Sequence, residues 1–422
     1  MSGELAGRGV GAGTIFALVA PPGVGFLVAW LALRSLGACV LLVDHALTES
    51  ELEDVLEHMG AGFCWRSGDD WSPGREIPLR RTPGRGDRLP RAAVIKLSSG
   101  SGGRPVGIAV GGEQLAVDGR KLAASMGLRP DDRFLGVVPF SHSYGFSLLP
   151  TSLFALGAPL VLPAPDEDPL DAARELGATV LPSVPAWYRA RLRGGRDTAC
   201  PPSLRLFLSA GAPLPPSVAR GWRERTGRPI HVLYGSSECG GITYDRLGDA
   251  AERGVVGTPV DGVRLVLEPT GLDGRRRIVV HSAAVALGYV PEDDARAGRI
   301  RNGSFRTDDL GELQGNELRL LGRCNGWINV NGKKVDPSEV EGVIGALRGV
   351  EEVAVLGKPL ADGREVVRAV VAARDGAVGF RDVTTWCRGR LAPYKIPRSV
   401  VVVDELPRTA RGKLDRRALL GL

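Results

Sequence analysis

The sequence predicts an α/β protein with a large amino-terminal part built on layered, mostly parallel sheets, a small β subdomain and a small α+β carboxyl-terminal part. Strand and helix patterns alternate from residue 14 to about residue 240, and crossover helices between strands imply parallel sheets covered on both faces. Shorter strand patterns separated by turns follow to about residue 320. The last hundred residues mix helices and strands again.

The first elements follow from apolar runs and a capping motif. Residues 14–20 and 38–44 are short apolar runs that predict buried strands, and residues 25–37 between them are long enough for a buried helix. Thr48 followed by Glu51 predicts a capping box at the start of the next helix.

Further elements are predicted along the rest of the chain. Residues 66–91 are rich in Gly, Pro, Arg and Asp and predict a surface loop, whereas residues 92–97 predict a strand. Residues 275–282 predict a strand of the β subdomain. Near the carboxyl end we expect a helix that begins after Asp336, strands near 351–357 and 365–373, a helix near 379–391 and a strand that begins at Ser399.

Composition and charge exclude several classes of protein. The net charge of +6 is spread along the chain without a basic cluster, so nucleic-acid binding is not expected. The six cysteines form no CxxC pair, which argues against a zinc ribbon or a disulfide scaffold and indicates a reducing compartment. We find neither a signal-peptide pattern nor an apolar segment of about 18 residues. The sequence therefore predicts a cytoplasmic protein without a membrane span.

Lysine is scarce, because only seven of the 54 basic residues are lysines. A lysine at a motif position is therefore informative. The seven are Lys96, Lys121, Lys333, Lys334, Lys358, Lys395 and Lys413.

Two segments combine hydroxyl and glycine residues directly after apolar strands, and the second also contains an acidic residue. The stretch LSSGSGGRPVG at 97–107 predicts a loop whose backbone N–H groups can hold phosphate oxygens, although it matches neither the Walker pattern nor GxGxxG. The stretch YGSSECGG at 234–241 offers a tyrosine that could stack on a base and a carboxylate that could hold Mg²⁺. Taken singly, the first is equally compatible with an ordinary flexible turn, and the second is more often a turn with a paired glutamate.

Other segments are weaker signals by themselves. His142, within PFSHSYGFS at 139–147, is flanked by serines and aromatics, and a lone histidine is more often structural than catalytic. The acidic and basic residues at 306–313, 322–335 and 406–419 are ordinarily exposed to solvent.

In their order and spacing, these motifs resemble the acyl-adenylate-forming (AMP-binding) superfamily of acyl- and aryl-CoA synthetases, peptide-synthetase adenylation domains and luciferases. The resemblance extends from about Thr14 to Leu420, and the chain looks most like a short acyl- or aryl-CoA synthetase. It implies a large AMP-binding domain at residues 1–322, shortened at its amino terminus, and a small mobile domain at residues 323–422 with a hinge near Asn325.

The resemblance also implies roles for individual residues. Lys413 corresponds to the catalytic lysine, and Glu238 to the metal-binding glutamate, which Ser237 would assist at the metal. His142 corresponds to a catalytic-site residue that gates the acyl pocket. Tyr234 would stack on adenine, and Asp309 and Arg323 would hold the ribose. The remaining nucleotide-binding positions are Ser98, Ser99, Gly100, Ser101, Gly102, Gly103, Gly211, Ala212, Pro213 and Gly235.

The implied reaction uses ATP and Mg²⁺ to convert a carboxylic acid into acyl-AMP with release of pyrophosphate, followed by transfer to a thiol, for which coenzyme A is expected. Amino-acid-activating relatives carry an aspartate soon after the aromatic residue of the PF segment, and residues 140–144 contain no acid. The expected substrate is therefore an aryl or fatty acid. Two alternatives remain: a stand-alone acyl-AMP ligase that loads the phosphopantetheine of an acyl carrier protein, and a degenerate non-catalytic member that binds nucleotide.

Several positions depart from the family pattern. Val106 replaces the usual lysine that ends the phosphate loop, and Gly102 replaces a usual threonine. Asn325 is an unusual residue at the hinge position, and Asn331 occupies a position that is commonly basic. These departures, with the short amino terminus, favour the non-catalytic alternative, whereas the retained Asp309, Arg323 and Lys413 favour an active enzyme.

Overall fold

The computed structural model describes residues 1–66, 79–81, 89–99, 105–164, 166–194, 200–270, 275–292, 296, 298–324, 328–330, 333–360, 365–373, 378–409 and 414–422. The chain divides into two compact units. Unit 1 comprises Met1–Val266, Val279–Arg306 and Gln314–Leu318, and unit 2 comprises Leu267–Ile278, Thr307–Leu313 and Arg319–Leu422. The domain boundary and the hinge inferred from the resemblance stay predictions.

Unit 1 contains helices distributed along most of its length. They are α1 (Ser2–Gly7), α2 (Val24–Ser35), α3 (Glu49–His58), α4 (Gly112–Ser125), α5 (Ser143–Leu149), α6 (Pro169–Glu175), α7 (Pro185–Arg193), α8 (Pro216–Thr226) and α9 (Ala250–Arg253), with a π-helix at Pro150–Leu156. The predicted capping box starts α3, because Thr48 Oγ1 accepts from the Glu51 N–H at 3.3 Å and Glu51 Oε2 accepts from the Thr48 N–H at 2.9 Å.

The first sheet of unit 1 has the strand order β16–β6–β5–β2–β1–β3–β4. Its strands are β1 (Ile15–Val19), β2 (Cys39–Val43), β3 (Phe63–Arg66), β4 (Leu79–Arg81), β5 (Val94–Ser99), β6 (Pro105–Val110) and β16 (Gly288–Val290). The inner strands β5, β2, β1 and β3 are parallel to one another. On one side β4 is antiparallel to β3, and on the other side β6 is antiparallel to β5 and β16 is antiparallel to β6. Apolar side chains on every residue of β1 and β2 are buried, as two-sided coverage requires.

Two loop predictions fail in this sheet. Residues 79–81 form β4 against β3, so the predicted loop at 66–91 is wrong there, because the composition of a short edge strand resembles that of a turn. The loop predicted at 97–107 is also too long. Residues up to Ser99 and from Pro105 onward pair as a β-hairpin.

The second sheet of unit 1 has the order β13–β12–β11–β10–β9–β7–β8. Its strands are β7 (Phe134–Leu135), β8 (Leu160–Val161), β9 (Val180–Ser183), β10 (Leu206–Ser209), β11 (Ile230–Ser236), β12 (Gly240–Tyr244) and β13 (Thr258–Pro259). Strands β7 to β11 are parallel to one another. Strand β12 is antiparallel to β11, and β13 is antiparallel to β12. Trp222, Tyr188 and Phe207 pack edge-on in the core beside this sheet.

A third sheet contains the short strands predicted for the β subdomain. It has the order β14–β15–β18–β17 with β19 beside β18. The strands are β14 (Arg264–Pro269), β15 (Arg276–His281), β17 (Ile300–Arg301), β18 (Ser304–Gln314) and β19 (Glu317–Arg323).

The carboxyl-terminal part of unit 2 is the predicted α+β fold. It contains β20 (Ile328–Val330), β21 (Lys333–Val335), α10 (Pro337–Gly345), β22 (Val350–Pro359), β23 (Glu365–Ala373), α11 (Phe380–Cys387), a 3₁₀ helix at Pro393–Lys395, β24 (Ser399–Val403) and α12 (Arg416–Gly421). Asp336 caps α10 by accepting from the Ser338 N–H at 2.8 Å, as predicted. The helix predicted at 379–391 ends earlier, at Cys387.

Candidate active site

The described residues of the predicted phosphate loop belong to the β5–β6 hairpin. Ser98 pairs with Val106 and Ser99 with Pro105, and Ser98 Oγ lies 3.4 Å from the carbonyl oxygen of Val106. Val106 is therefore a strand residue opposite Ser98. The tip itself, with the predicted Gly100, Ser101, Gly102 and Gly103, lies outside the described residues.

The predicted adenine-pocket segment leaves the second sheet beside Tyr234. Strands β10 and β11 are parallel neighbours, with Ser209 opposite Val232, so the segment from Ala210 to Pro213 and the end of β11 leave the same edge of the sheet. Gly211 has a φ of +85°, a left-handed conformation that favours glycine. Sheet edges of this kind, at the carboxyl ends of parallel strands, are where α/β proteins bind ligands.

The turn between β11 and β12 carries Ser237 and Glu238. A register shift after Tyr234 distorts the end of β11, which is typical of strand ends that direct side chains into a site. Cys239 lies in the same turn, and burial raises the pKa of its thiol to about 12. A thiol with that pKa stays protonated at neutral pH. The roles of Ser237 and Glu238 in the same turn stay predictions.

Strand β16 connects this turn to the phosphate-loop hairpin. Tyr289, on β16, is opposite Ile108 of β6, and its hydroxyl donates to Glu238 Oε1 at 3.3 Å. Burial raises the pKa of Tyr289, so the phenol stays protonated and able to donate. The main chain contributes as well, because the Ala286 N–H donates to the Glu238 carbonyl at 2.7 Å. Unit 1 thus brings Glu238 close to the strands that carry the predicted phosphate loop.

His142 precedes α5 and faces a carboxylate from the first sheet. Its Nε2 lies 3.5 Å from Asp44 Oδ2, and Asp44 follows the carboxyl end of β2 and is buried. The sequence analysis did not identify Asp44. Asp44 is nearly one hundred residues away from His142 in the sequence. Parallel strands bring such distant residues together at one edge of a sheet.

Asp309 and Arg323 are brought together in unit 2. Arg323 Nε donates to Asp309 Oδ1 at 2.8 Å across the neighbouring strands β18 and β19. The Thr307 hydroxyl accepts from the Asp309 N–H at 3.0 Å and donates to the Ile278 carbonyl at 2.9 Å, which fixes the strand at this point. The Arg323 side chain is mostly exposed, whereas the Asp309 side chain is 18% exposed. The Asp309 carboxylate is therefore largely buried and held by the Arg323 guanidinium.

A cluster of buried charges lies in unit 1, and the sequence analysis left it unassigned. Lys96, Asp118 and Lys121 are all buried. The Lys96 ammonium contacts the Ser147 hydroxyl at 3.4 Å, and burial lowers its pKa. The available signal was the scarcity of lysine, together with Asp118 three residues after Leu115 on the buried face of α4.

Comparison with known proteins assigns the family. Residues 86–290 match the model of the AMP-binding enzyme family and residues 339–413 that of the AMP-binding enzyme C-terminal domain. The chain is 30% identical to a 2-succinylbenzoate–CoA ligase of Geobacillus kaustophilus, over 99% of this chain and 89% of that protein. The chain belongs to the AMP-binding enzyme family.

Two further similarities cover almost the whole chain. A feruloyl-CoA synthase of Amycolatopsis is 29% identical over 98% of this chain and 90% of that protein. The crystal structure of ATP-bound MatB from Rhodopseudomonas palustris superposes with a TM-score of 0.84 at 27% identity, covering 100% of this chain and 90% of that one. The predicted superfamily, fold class and enzyme class, an AMP-forming acid–thiol ligase, are thereby confirmed.

Other predictions for this AMP-binding enzyme remain as they were. Lys413, the predicted hinge residue Asn325 and Asn331 lie outside the described residues. The roles of the individual site residues stay predictions. None of the helices in the described ranges is long and apolar enough to cross a membrane. All six cysteines are free thiols.

Proposed function

We propose that this AMP-binding enzyme activates an aryl carboxylic acid with ATP and transfers the acyl group to coenzyme A. The observation that carries the proposal is the arrangement in unit 1, where β16 and Tyr289 hold Glu238 beside the hairpin of the phosphate loop. The aryl class and the coenzyme A acceptor are supported by the relatives, whose names specify 2-succinylbenzoate and ferulate as acids joined to coenzyme A.

The reaction has two balanced steps. In the first, a carboxylate oxygen attacks the α-phosphorus of ATP, the bond to the β,γ-diphosphate breaks, and acyl-AMP and pyrophosphate result. In the second, the coenzyme A thiol releases its proton to solvent, the sulfur attacks the acyl carbon, the bond from that carbon to the phosphate oxygen breaks, and AMP leaves. Both attacking and attacked groups are anionic in the first step, so catalysis depends on cations and N–H donors around the phosphates.

The residues present fit a magnesium ion that is shared with the nucleotide. Mg²⁺ prefers oxygen ligands and is usually held by one or two carboxylates together with substrate phosphates. Glu238 and Ser237 supply one carboxylate and one hydroxyl, and the described residues contain no group of three or more His, Cys, Asp or Glu that would form an all-protein metal site. When bound, the ion would neutralise phosphate charge.

The chain's own residues would divide the remaining tasks. Tyr234 would stack on adenine at the edge of the second sheet, and Asp309 would accept hydrogen bonds from the ribose hydroxyls while Arg323 holds its carboxylate. Lys413 would place its ammonium against the α-phosphate and the attacking carboxylate. Residues 140–144 carry no acid for an α-amino group, which supports an acid without that group.

A comparison of acids and thiol acceptors tests this proposal. We expect acyl-CoA to form from aryl acids such as substituted benzoates and cinnamates, with kcat/KM at least tenfold above that for fatty acids, as measured by mass spectrometry of the thioester. Parallel reactions contain a holo acyl carrier protein in place of coenzyme A. A preference for fatty acids would overturn the aryl class, and thioester on the carrier alone would overturn the acceptor.

A further inference from the structure

A buried ion pair on α4 lies directly against the turn that carries Ser237 and Glu238. Asp118 and Lys121 are three residues apart on the helix, their side chains are 6% and 5% exposed, and Lys121 Nζ lies 3.2 Å from Asp118 Oδ1. Burying both charges carries a desolvation cost that excellent geometry and further hydrogen bonds must offset. The partners that provide those bonds therefore indicate the purpose of the pair.

Those partners are backbone atoms of the turn. Lys121 Nζ donates to the carbonyl of Gly241 at 2.8 Å and to that of Cys239 at 3.3 Å. The Gly241 N–H donates to Asp118 Oδ1 at 3.1 Å. Together with Asp118, the ammonium has one acceptor for each of its three protons. The pair therefore fixes the main chain immediately after Glu238.

The two glycines at this point allow the helix to come close enough. Gly240 has a φ of +69°, and a Cβ there would lie 2.1 Å from Asp118 Oδ1. A Cβ on Gly241 would lie 2.6 Å from Leu122 Cδ2. A larger residue at Gly240 would displace the Asp118 carboxylate and break the hydrogen bonds of the ion pair, whereas one at Gly241 would first displace the Leu122 side chain.

We propose that Asp118 and Lys121, here called the α4 clamp, are positioning residues that set the geometry of Ser237 and Glu238 for Mg²⁺ and ATP. The inference deepens the proposed function and rests on it. Helix α4 begins two residues after β6 ends, so one short segment connects the phosphate-loop hairpin to the clamp. A displacement of about 1 Å at such a site can cost about 10²-fold in rate.

The test uses Lys121→Met, which keeps an unbranched apolar stem and removes the ammonium. We expect faster hydrogen exchange at the Gly241 amide, by at least tenfold, in the peptide that spans the turn. The Mg²⁺ concentration for half-maximal ATP–pyrophosphate exchange should rise about tenfold, with a lower kcat. Asp118→Asn, which loses the charge but keeps an acceptor, should change both quantities in the same direction by less.

Asp132→Asn is the matched control. Asp132 is also buried, at 2% exposure, and it accepts from Arg205 and from the Thr179 hydroxyl. This variant should lower Tm without changing the hydrogen exchange of the turn or the Mg²⁺ dependence.

Each outcome decides one part of the inference. If the turn of folded Lys121→Met exchanges its amide hydrogens at the wild-type rate, the α4 clamp does not fix the turn and the inference is wrong. Faster exchange with unchanged Mg²⁺ dependence would overturn its role in positioning Glu238. If the wild-type protein catalyses no pyrophosphate exchange with any acid, the proposed function fails. In that case the α4 clamp is still tested by two comparisons of wild type with Lys121→Met. One is the hydrogen exchange of the turn, and the other is the binding of Mg²⁺ and ATP measured by calorimetry.

Discussion

Lys413→Ala is expected to slow acid-dependent ATP–pyrophosphate exchange by about 10²–10³-fold, the usual cost of deleting one electrostatic contact to a transition state. A lysine ammonium is a compact point charge that suits a phosphate in transfer. Because Lys413 lies on the predicted mobile small domain, we expect it to reach the site only during adenylation. The variant should therefore still convert supplied acyl-AMP and coenzyme A into thioester at close to the wild-type rate, measured by single-turnover kinetics.

Gly332→Leu is the complementary variant. We expect the thiol to approach near Gly332 and Lys333, so a leucine at position 332 should obstruct thioester formation and spare pyrophosphate exchange. Measuring both half-reactions on both variants separates the two steps. Equal loss of both steps in folded Lys413→Ala would contradict the expected movement of the small domain between the two steps. It would also remove the reason for placing the hinge at Asn325.

Asp309→Ala is expected to raise the KM for ATP by at least tenfold. A hydrogen bond to a charged group contributes about 1.5–3 kcal/mol, and about 1.4 kcal/mol corresponds to a tenfold change in affinity. Asp309 would accept from the ribose, so the loss should appear with ATP and be small with a nucleotide analogue that lacks both ribose hydroxyls. Steady-state pyrophosphate exchange at varied nucleotide concentration gives both values.

Glu312→Ala is the matched control for Asp309. Glu312 lies on the same strand and pairs with Arg319 at 3.5 Å, across the same pair of strands as Asp309 and Arg323. Removing this surface pair should leave the KM for ATP unchanged, because exposed ion pairs contribute little to stability. An equal rise in both variants, or no rise in Asp309→Ala, would show that Asp309 does not hold the ribose.

The sequence was sufficient where local patterns determine the structure. Thr48 and Glu51 predict a capping box that the structure contains, and Asp336 predicts the start of α10. Asp309 and Arg323 were paired from family order alone, and they meet because β18 and β19 are neighbouring strands. The phosphate loop predicted from the sequence is too long, because small polar residues such as Ser98 occur both in the strands of a hairpin and at its tip.

Residues that act through long-range contacts could not be predicted in the same way. Asp44 meets His142, and Asp118 and Lys121 meet the turn at Cys239 and Gly241. Each of these contacts joins segments about one hundred residues apart, and it depends on how the elements pack rather than on any local motif. A charged residue on the buried face of a helix, such as Asp118, is a sequence signal that a polar partner must exist, but it does not identify that partner.

Acid-dependent ATP–pyrophosphate exchange tests the central claim most directly. Labelled pyrophosphate is incubated with folded protein, ATP, Mg²⁺ and a panel of aryl and fatty acids, and label in ATP is measured. The account predicts incorporation that requires both Mg²⁺ and an acid, that is greatest with an aryl acid, and that is lost in Glu238→Gln. No incorporation with any acid of the panel would contradict the assignment as an adenylating enzyme and would favour a nucleotide-binding protein without catalysis.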